Sequence, residues 1–99
     1  MASGWVGILT LELHFPEAHS LKEKRMFVRS AKDQLRNRFG ASVAEVDHHD
    51  AWQRARVTVA CVARERGEAT RLVAGAERWL HGQGFDVSGV DRDVVTLDE

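Results

Sequence analysis

The chain has 99 residues, with 14 Lys and Arg against 15 Asp and Glu, a net charge of -1 and one cysteine, Cys61. This length suits one hydrophobic core, so we expect a single domain over residues 1–99. The charge balance excludes a uniformly basic nucleic-acid binder, and no apolar run approaches the roughly 20 residues of a membrane span. A lone cysteine and the lack of a signal-peptide pattern predict a cytoplasmic protein with no membrane contact.

The first predicted element is a strand over residues 5–15, in which apolar and polar residues alternate. Pro16 has no amide hydrogen to donate and restricts the residue before it, so it ends the strand. The polar face includes Glu12 and His14, and the inward face is formed by Trp5, Gly7, Leu9, Leu11, Leu13 and Phe15.

A helix follows the loop after Pro16. Ser20 and Glu23 have the spacing of a capping box, which starts the helix near Leu21, and Gly40 suits its C-terminal cap. Steps of three, four and seven residues give the helix one apolar stripe. Its members are Leu21, Val28, Ala31, Leu35 and Phe39.

Two strands around a tight turn form a predicted central hairpin over residues 42–48 and 52–63. In the first strand the pattern predicts Ala44 and Val46 inward, with Val43, Glu45 and Asp47 outward. The inward residues of the second strand are Ala55, Val57, Val59, Cys61 and Ala63.

The last two elements are a helix that ends near Gly82 or Gly84 and a strand over residues 85–97. This strand should bend near Ser88 and Gly89, or near residues 91–93. The order βαββαβ predicts an α+β, ferredoxin-like fold: a four-stranded antiparallel sheet of order 4-1-3-2 with two helices on one face.

The charges are sorted along the chain. Residues 20–38 hold seven basic and two acidic residues, a charge of +5, which leaves -6 for the rest. Five of these cations recur at steps of three and four, so they form a stripe beside the apolar face that could follow a phosphate backbone. The alternative is a solvated helix face whose charges pair with acids elsewhere. The stripe consists of Lys22, Arg25, Arg29, Lys32 and Arg36.

A second polar group is predicted at one edge of the sheet. Strands 1 and 2 of this topology run the same way, so their C-terminal ends should bring His14, Asp47, His48 and Trp52 together. Imidazoles and carboxylates here suit a divalent metal or acid-base chemistry, and the alternative is a polar hairpin with internal hydrogen bonds. The chain contains no established metal-binding, nucleophile-elbow or glycine-loop motif. The sequence therefore predicts no cofactor, metal ligand or catalytic residue, and it favours a non-enzymatic role.

The outward face of the sheet carries Thr10, Glu12, Arg54, Arg56 and Thr58. It lacks the aromatic residues on which an RNA-recognition motif stacks bases, and it predicts a cross-strand charge ladder that includes Glu45 or Asp47. Apolar residues at the other end of this face suit a homodimer contact. They are Val6, Ile8, Ala60 and Val62.

Two segments resemble the bacterial YlxP-like family, a domain family of unknown function (DUF503). They are residues 13–16 with 20–25, and residues 42–48 with Asp50 and 52–55. The resemblance implies the ferredoxin-like fold and supplies no catalytic residue. Genes of this family often lie beside those for translation initiation and small-subunit maturation, which implies a link to the ribosome.

We therefore predict a cytoplasmic, non-enzymatic accessory protein that binds RNA or a ribosomal subunit. The alternatives are a metal-dependent or acid-base enzyme at the His14, Asp47 and His48 edge, or an interaction module that dimerises through its open sheet. The predicted binding residues are Lys22, Arg25, Arg29, Lys32, Arg36, His14, Asp47, His48, Trp52 and Arg54.

Overall fold

A computed structural model describes residues 3–98, which form four strands and two helices in the predicted order. Within these residues no helix is long and apolar enough to cross a membrane. The elements are β1 (Trp5–His14), α1 (Leu21–Phe39), β2 (Ser42–Asp47), β3 (Arg54–Ala63), α2 (Arg66–His81) and β4 (Asp86–Val95).

The four strands form one antiparallel sheet of order β2-β3-β1-β4, which confirms the predicted order and the ferredoxin-like fold. α1 packs on β2 and β3, whereas α2 packs on β1, β3 and β4, so the helices lie side by side on one face. The core between the layers includes Leu9, Leu11 and Val59, each fully buried, as the alternating pattern predicts.

The ends of α1 form where the capping residues predict them. Ser20 Oγ accepts a hydrogen bond from the Glu23 amide at 3.1 Å, while the Glu23 carboxylate accepts one from the His19 amide at 3.1 Å. Gly40 closes the helix with φ 62°, a left-handed conformation that glycine adopts at little cost. The helix therefore starts and stops through local interactions.

Lys24 is fully buried beneath the first turns of α1, although the sequence groups it with the surface charges. Its ammonium donates to Glu45 Oε2 at 2.8 Å and to the backbone carbonyl of His48 at 2.8 Å. It also donates to the carbonyls of His49 at 3.2 Å and Arg54 at 3.3 Å. A buried charge is tolerated only when it is paired and hydrogen-bonded, and these contacts fasten α1 to the β2–β3 hairpin.

The predicted facing of β2 is wrong. Val43 and Glu45 are partly buried on the helix side, whereas Ala44 and Val46 are exposed. A period of two cannot say which of two mixed faces is inward, and here Lys24 supplies the partner that lets Glu45 face α1. A register shift after Glu45 then turns Asp47 to the open face, where it pairs with Arg56.

The hairpin and β4 differ slightly from the predicted bounds. β3 begins at Arg54 instead of Trp52. The Gln53 carbonyl accepts a hydrogen bond from the Phe15 amide and the Gln53 side chain donates to the carbonyls of Pro16 and Ala18, which ties the segment before β3 to the loop after β1. β4 shifts register against β1 near Gly89, whose φ is 57°, so the predicted bend near residues 88–89 is confirmed.

Replacing Lys24 by Met should cost about 3 kcal/mol of unfolding free energy, because it removes the cation that pairs with the Glu45 carboxylate and that donates to three backbone carbonyls. Met keeps the apolar volume of the lysine stem. Urea unfolding followed by circular dichroism measures the change. The exposed Lys22→Met serves as the control and should stay within about 0.5 kcal/mol. A Lys24→Met loss as small as that of the control would contradict a fastening role.

Replacing Gly7 by Ala should lower the free energy of unfolding by about 1–3 kcal/mol. α2 lies directly on β1 at this position, so the added methyl group would overpack the core. A Cβ at Gly7 would lie 2.8 Å from the Ala69 carbonyl oxygen and 2.8 Å from Val73 Cγ1. Gly84→Ala is the matched control, since a Cβ there meets nothing within 4 Å. Equal unfolding midpoints for the two variants would show that the helix can move away freely.

Candidate functional site

All five residues of the predicted stripe on α1 are exposed. Arg36 pairs with Asp33, with Nη2 to Oδ1 at 2.8 Å. Within residues 3–98 the other four cations form no ion pair with a carboxylate, so pairing with acids elsewhere does not account for them. These four residues are Lys22, Arg25, Arg29 and Lys32.

The stripe lies on the flank of α1 that faces away from α2. Phe27, Gln34 and Arg38 mark the other flank, because they line a cavity together with Trp79 of α2. At 3.6 residues per turn, Arg25 and Arg29 fall about half a turn from those positions. Since α1 covers the β2 side of the sheet, the stripe runs along the free β2 edge.

The second predicted group is partly assembled on the open face of the sheet. His14, His48 and Arg54 line one open cleft of about 540 Å³, together with Glu12, Arg56, Asp86 and Ser88. Because the helices cover the opposite face, this cleft and the α1 stripe lie on opposite sides of the sheet. The predicted site is therefore two surfaces that meet only at the end of the β2–β3 hairpin.

Glu12 is the centre of an ionic network in this cleft. Its carboxylate accepts from Arg56 Nε at 2.6 Å and lies 3.2 Å from His48 Nε2. Asp47 Oδ2 lies 3.8 Å from Arg56 Nη1, so the predicted charge ladder forms through Asp47, whereas Glu45 points to the other face. Arg54 forms no ion pair among the described residues and is the cation of the cleft left open to a ligand.

The backbone at His48 brings its ring over the sheet. Its φ of 66° is uncommon for a residue other than glycine. The Asp47 side chain accepts a hydrogen bond from the His48 amide at 2.7 Å, and the His48 carbonyl accepts from the Ala51 amide at 3.1 Å. These bonds hold the turn in a conformation that directs the imidazole at Glu12.

Trp52, also predicted at this edge, does not line the cleft. Its side chain is 56 % exposed at the end of the hairpin. His19 and His49 likewise lie outside the cleft lining, so His14 and His48 are the histidines that line it.

The residues for acid-base chemistry are present as two imidazole–carboxylate pairs. His48 approaches Glu12 as described, and His14 Nδ1 lies 3.5 Å from Asp86 Oδ2. Within residues 3–98, no three His, Cys, Asp or Glu side chains are grouped so as to hold a metal ion. The acid-base enzyme stays a prediction.

The apolar end of the open face is uneven. Val62 is 74 % exposed, whereas Val6, Ile8 and Ala60 are partly buried by their neighbours. Dimerisation through this face stays a prediction.

Sequence reasoning missed two sets of residues. Lys24 stands at the helical spacing of Val28 and Leu35, and this position within the apolar stripe is the signal that could have identified it as buried. Asp86 and Ser88 enter the cleft through the pairing of β4 with β1. Their register depends on the irregular stretch near Gly89, so no sequence signal could have placed them.

The pKa of the Asp47 carboxyl is lowered from 3.8, chiefly by the hydrogen bond from the His48 amide and then by the charge of His48. A lowered pKa stabilises the fold above the unfolded-state pKa, and this stabilisation is lost as the pH falls through the folded value. Asp47→Asn should therefore melt below wild type at about pH 6, and the difference should close towards about pH 3.

Thermal melts across this pH range test the prediction. Asp50→Asn is the matched control, since Asp50 is exposed in the same hairpin. A melting difference for Asp47→Asn that does not change with pH would show that the charge contributes nothing.

Comparison with known proteins gives a family and leaves the function open. Uncharacterized protein YlxP of Bacillus subtilis (strain 168) is 33 % identical over 61 residues, or 62 % of this chain, and the match spans 66 % of that protein. A de novo designed ferredoxin-fold protein solved by NMR aligns with 96 % of this chain and 88 % of its own, with TM-score 0.46 and 13 % identity.

The designed protein Ferredog-Diesel aligns with 92 % of this chain and 88 % of its own, with TM-score 0.42 and 14 % identity. A family profile described as a protein of unknown function matches residues 6–93, nearly the whole chain. The chain therefore belongs to the DUF503 family.

Proposed function

We propose that this protein is a non-enzymatic accessory factor that binds RNA, with a ribosomal subunit as its setting, through the cationic flank of α1. The observation that carries the proposal is the row of exposed cations without acidic partners along that flank. The ribosomal setting rests on the family resemblance.

Folding alone disfavours this row. Arg25 and Arg29 are like charges four residues apart, and such a pair destabilises a helix by about 0.2–0.5 kcal/mol. Acids are available in the chain, yet Glu12 and Glu77 pair with cations on the sheet. A polyanion that neutralises the row would remove the repulsion, which is why we favour a phosphate-rich partner.

The binding mode would be contact with the phosphate backbone. From Lys22 to Arg36 the stripe rises by about 21 Å, at 1.5 Å per residue. The centre of the open face offers no aromatic ring for base stacking, since Thr10 and Thr58 bond to each other there at 2.8 Å. Phosphate contacts position a protein but carry little sequence information, so we expect weak sequence preference.

The hairpin end would extend this surface. Its Trp52 is exposed, and the turn residues are fastened to α1 through Lys24. Arg54, His14, His48 and Asp47 continue from there onto the open face. An RNA strand that follows the α1 stripe to its N-terminal end reaches these residues by passing around the hairpin.

The test is co-sedimentation with small ribosomal subunits, and filter binding to naked ribosomal RNA, from about 50 to 200 mM salt. Arg25→Glu/Arg29→Glu/Lys32→Glu should abolish most binding at low salt. A variant with the same residues changed to Gln should lower the slope of log affinity against log salt by about two, since each lost phosphate contact removes about 0.7.

A matched control is the triple reversal Arg64→Glu/Arg66→Glu/Arg71→Glu. Arg66 and Arg71 are exposed in the first turns of α2 and Arg64 is exposed just before it, and the reversal changes the net charge by the same amount. Loss of binding in the α1 variant alone supports the proposal. Equal loss in both variants would show that binding depends on net charge and not on the α1 stripe. Unchanged binding in the α1 variant would refute the proposal.

A further inference from the structure

The flank of α1 opposite the stripe borders a cavity of about 510 Å³. It lies between α1, the end of α2 and the segment that leads into β4. This volume falls within the usual range of small-molecule sites, about 300–1,000 Å³. Its lining includes four aromatic rings, those of Phe15, Phe27, Trp79 and Phe85.

The rings are arranged as a stacking surface. Phe15 is buried and lies parallel to Phe27, with centroids 5.7 Å apart and planes inclined by 8°. Phe85 packs against Phe15 at 4.9 Å with a tilt of 58°. Phe27 remains 38 % exposed, so the part of its ring that Phe15 does not cover is open to the cavity and to solvent.

Polar groups at this site have unused hydrogen-bonding capacity. Arg38 lies over the Trp79 ring at 5.7 Å, and its Nε donates to Gln34 Oε1 at 3.1 Å. Among the described residues this leaves the Gln34 amide NH₂ and the terminal guanidinium nitrogens without acceptors. Gln83 Nε2 donates to the Trp79 carbonyl at 3.0 Å, which leaves Gln83 Oε1 as a free acceptor.

We propose that this cavity, which we call the aromatic pocket, binds a nucleobase. The base would stack on Phe27, a side-chain amide donor and acceptor would read its edge, and Arg38 would meet the attached phosphate. An acyl chain would leave the two amides and the guanidinium without partners, whereas a bare anion would leave the rings unused.

Glu17 also lines the aromatic pocket. Its carboxylate is a pure acceptor and would suit a base that carries an exocyclic amino group. Adenine and cytosine compounds should therefore bind more tightly than uracil compounds.

The base has two sources, a free mononucleotide or an unpaired base of an RNA strand. Binding of a free mononucleotide is independent of the proposed function. Binding of an unpaired RNA base rests on the proposed function, because the same helix carries the stripe on its other flank. The arms of the experiment separate the two sources.

The experiment is a titration of the isotopically labelled full chain followed by NMR. The ligands are AMP, CMP, UMP, ribose 5-phosphate and a short single-stranded RNA. We expect AMP and CMP to shift the Phe27 and Trp79 resonances, UMP to bind less tightly, and ribose 5-phosphate to leave them unchanged. Phe27→Ala should weaken AMP binding about tenfold, the effect of losing one base stack.

Gln34→Ala is a second variant whose fold is not at risk, since Gln34 is exposed, and it should also weaken binding. Asn37→Ala is the matched control and should leave AMP affinity unchanged, since Asn37 is exposed on the same helix and belongs neither to the aromatic pocket nor to the stripe. Circular dichroism confirms that each variant is folded.

If mononucleotides shift the resonances of the aromatic pocket and Phe27→Ala or Gln34→Ala weakens their binding, the ligand is a free nucleotide. The same shifts with RNA alone, reduced by either variant, identify an unpaired RNA base. The proposal is overturned if neither ligand shifts these resonances, if ribose 5-phosphate binds as well as AMP, or if both variants bind like wild type. If the reversal of the α1 stripe removes RNA binding but leaves AMP binding intact, the proposal stands for the free mononucleotide only.

Discussion

The contact on which the rest of the structure depends is that of Lys24 with Glu45 and the hairpin carbonyls. It fixes how the N-terminal half of α1 sits on β2, and so directs one flank of the helix to the sheet edge and the other to α2. The same contact holds the β2–β3 turn in which His48 adopts its left-handed backbone. This buried charge therefore sets the geometry of both proposed binding surfaces of α1 and of the cleft beneath the hairpin.

The fold was predictable because its signals are local. Pro16, the Ser20–Glu23 box and Gly40 set the ends of elements without help from distant residues. The facing of β2 was not predictable in this way. Ala44 and Val46 are together more apolar than Val43 and Glu45, which do face inward, and the choice is made by Lys24, twenty-one residues before its partner Glu45. A tertiary contact between two charged residues overrides the alternation of the strand.

The candidate site was predictable in its residue types and only partly in its geometry. Antiparallel pairing of β1 with β3 brings His14 opposite Arg54, as topology requires. The bulge that turns Asp47 to the open face and the entry of Asp86 depend on register shifts that alternation cannot encode. The aromatic pocket escaped prediction for a related reason, since Phe15, Phe27 and Trp79 come from three separate segments of the chain that only the tertiary fold brings together.

The cationic flank of α1 has a consequence for association that does not involve RNA. β2 ends the sheet with a row of unpaired backbone groups, which in other proteins invites a second strand. A second copy that paired there around a two-fold axis would bring two such flanks face to face, and their like charges would oppose contact. The helix thereby protects the β2 edge against strand pairing between two copies of the chain.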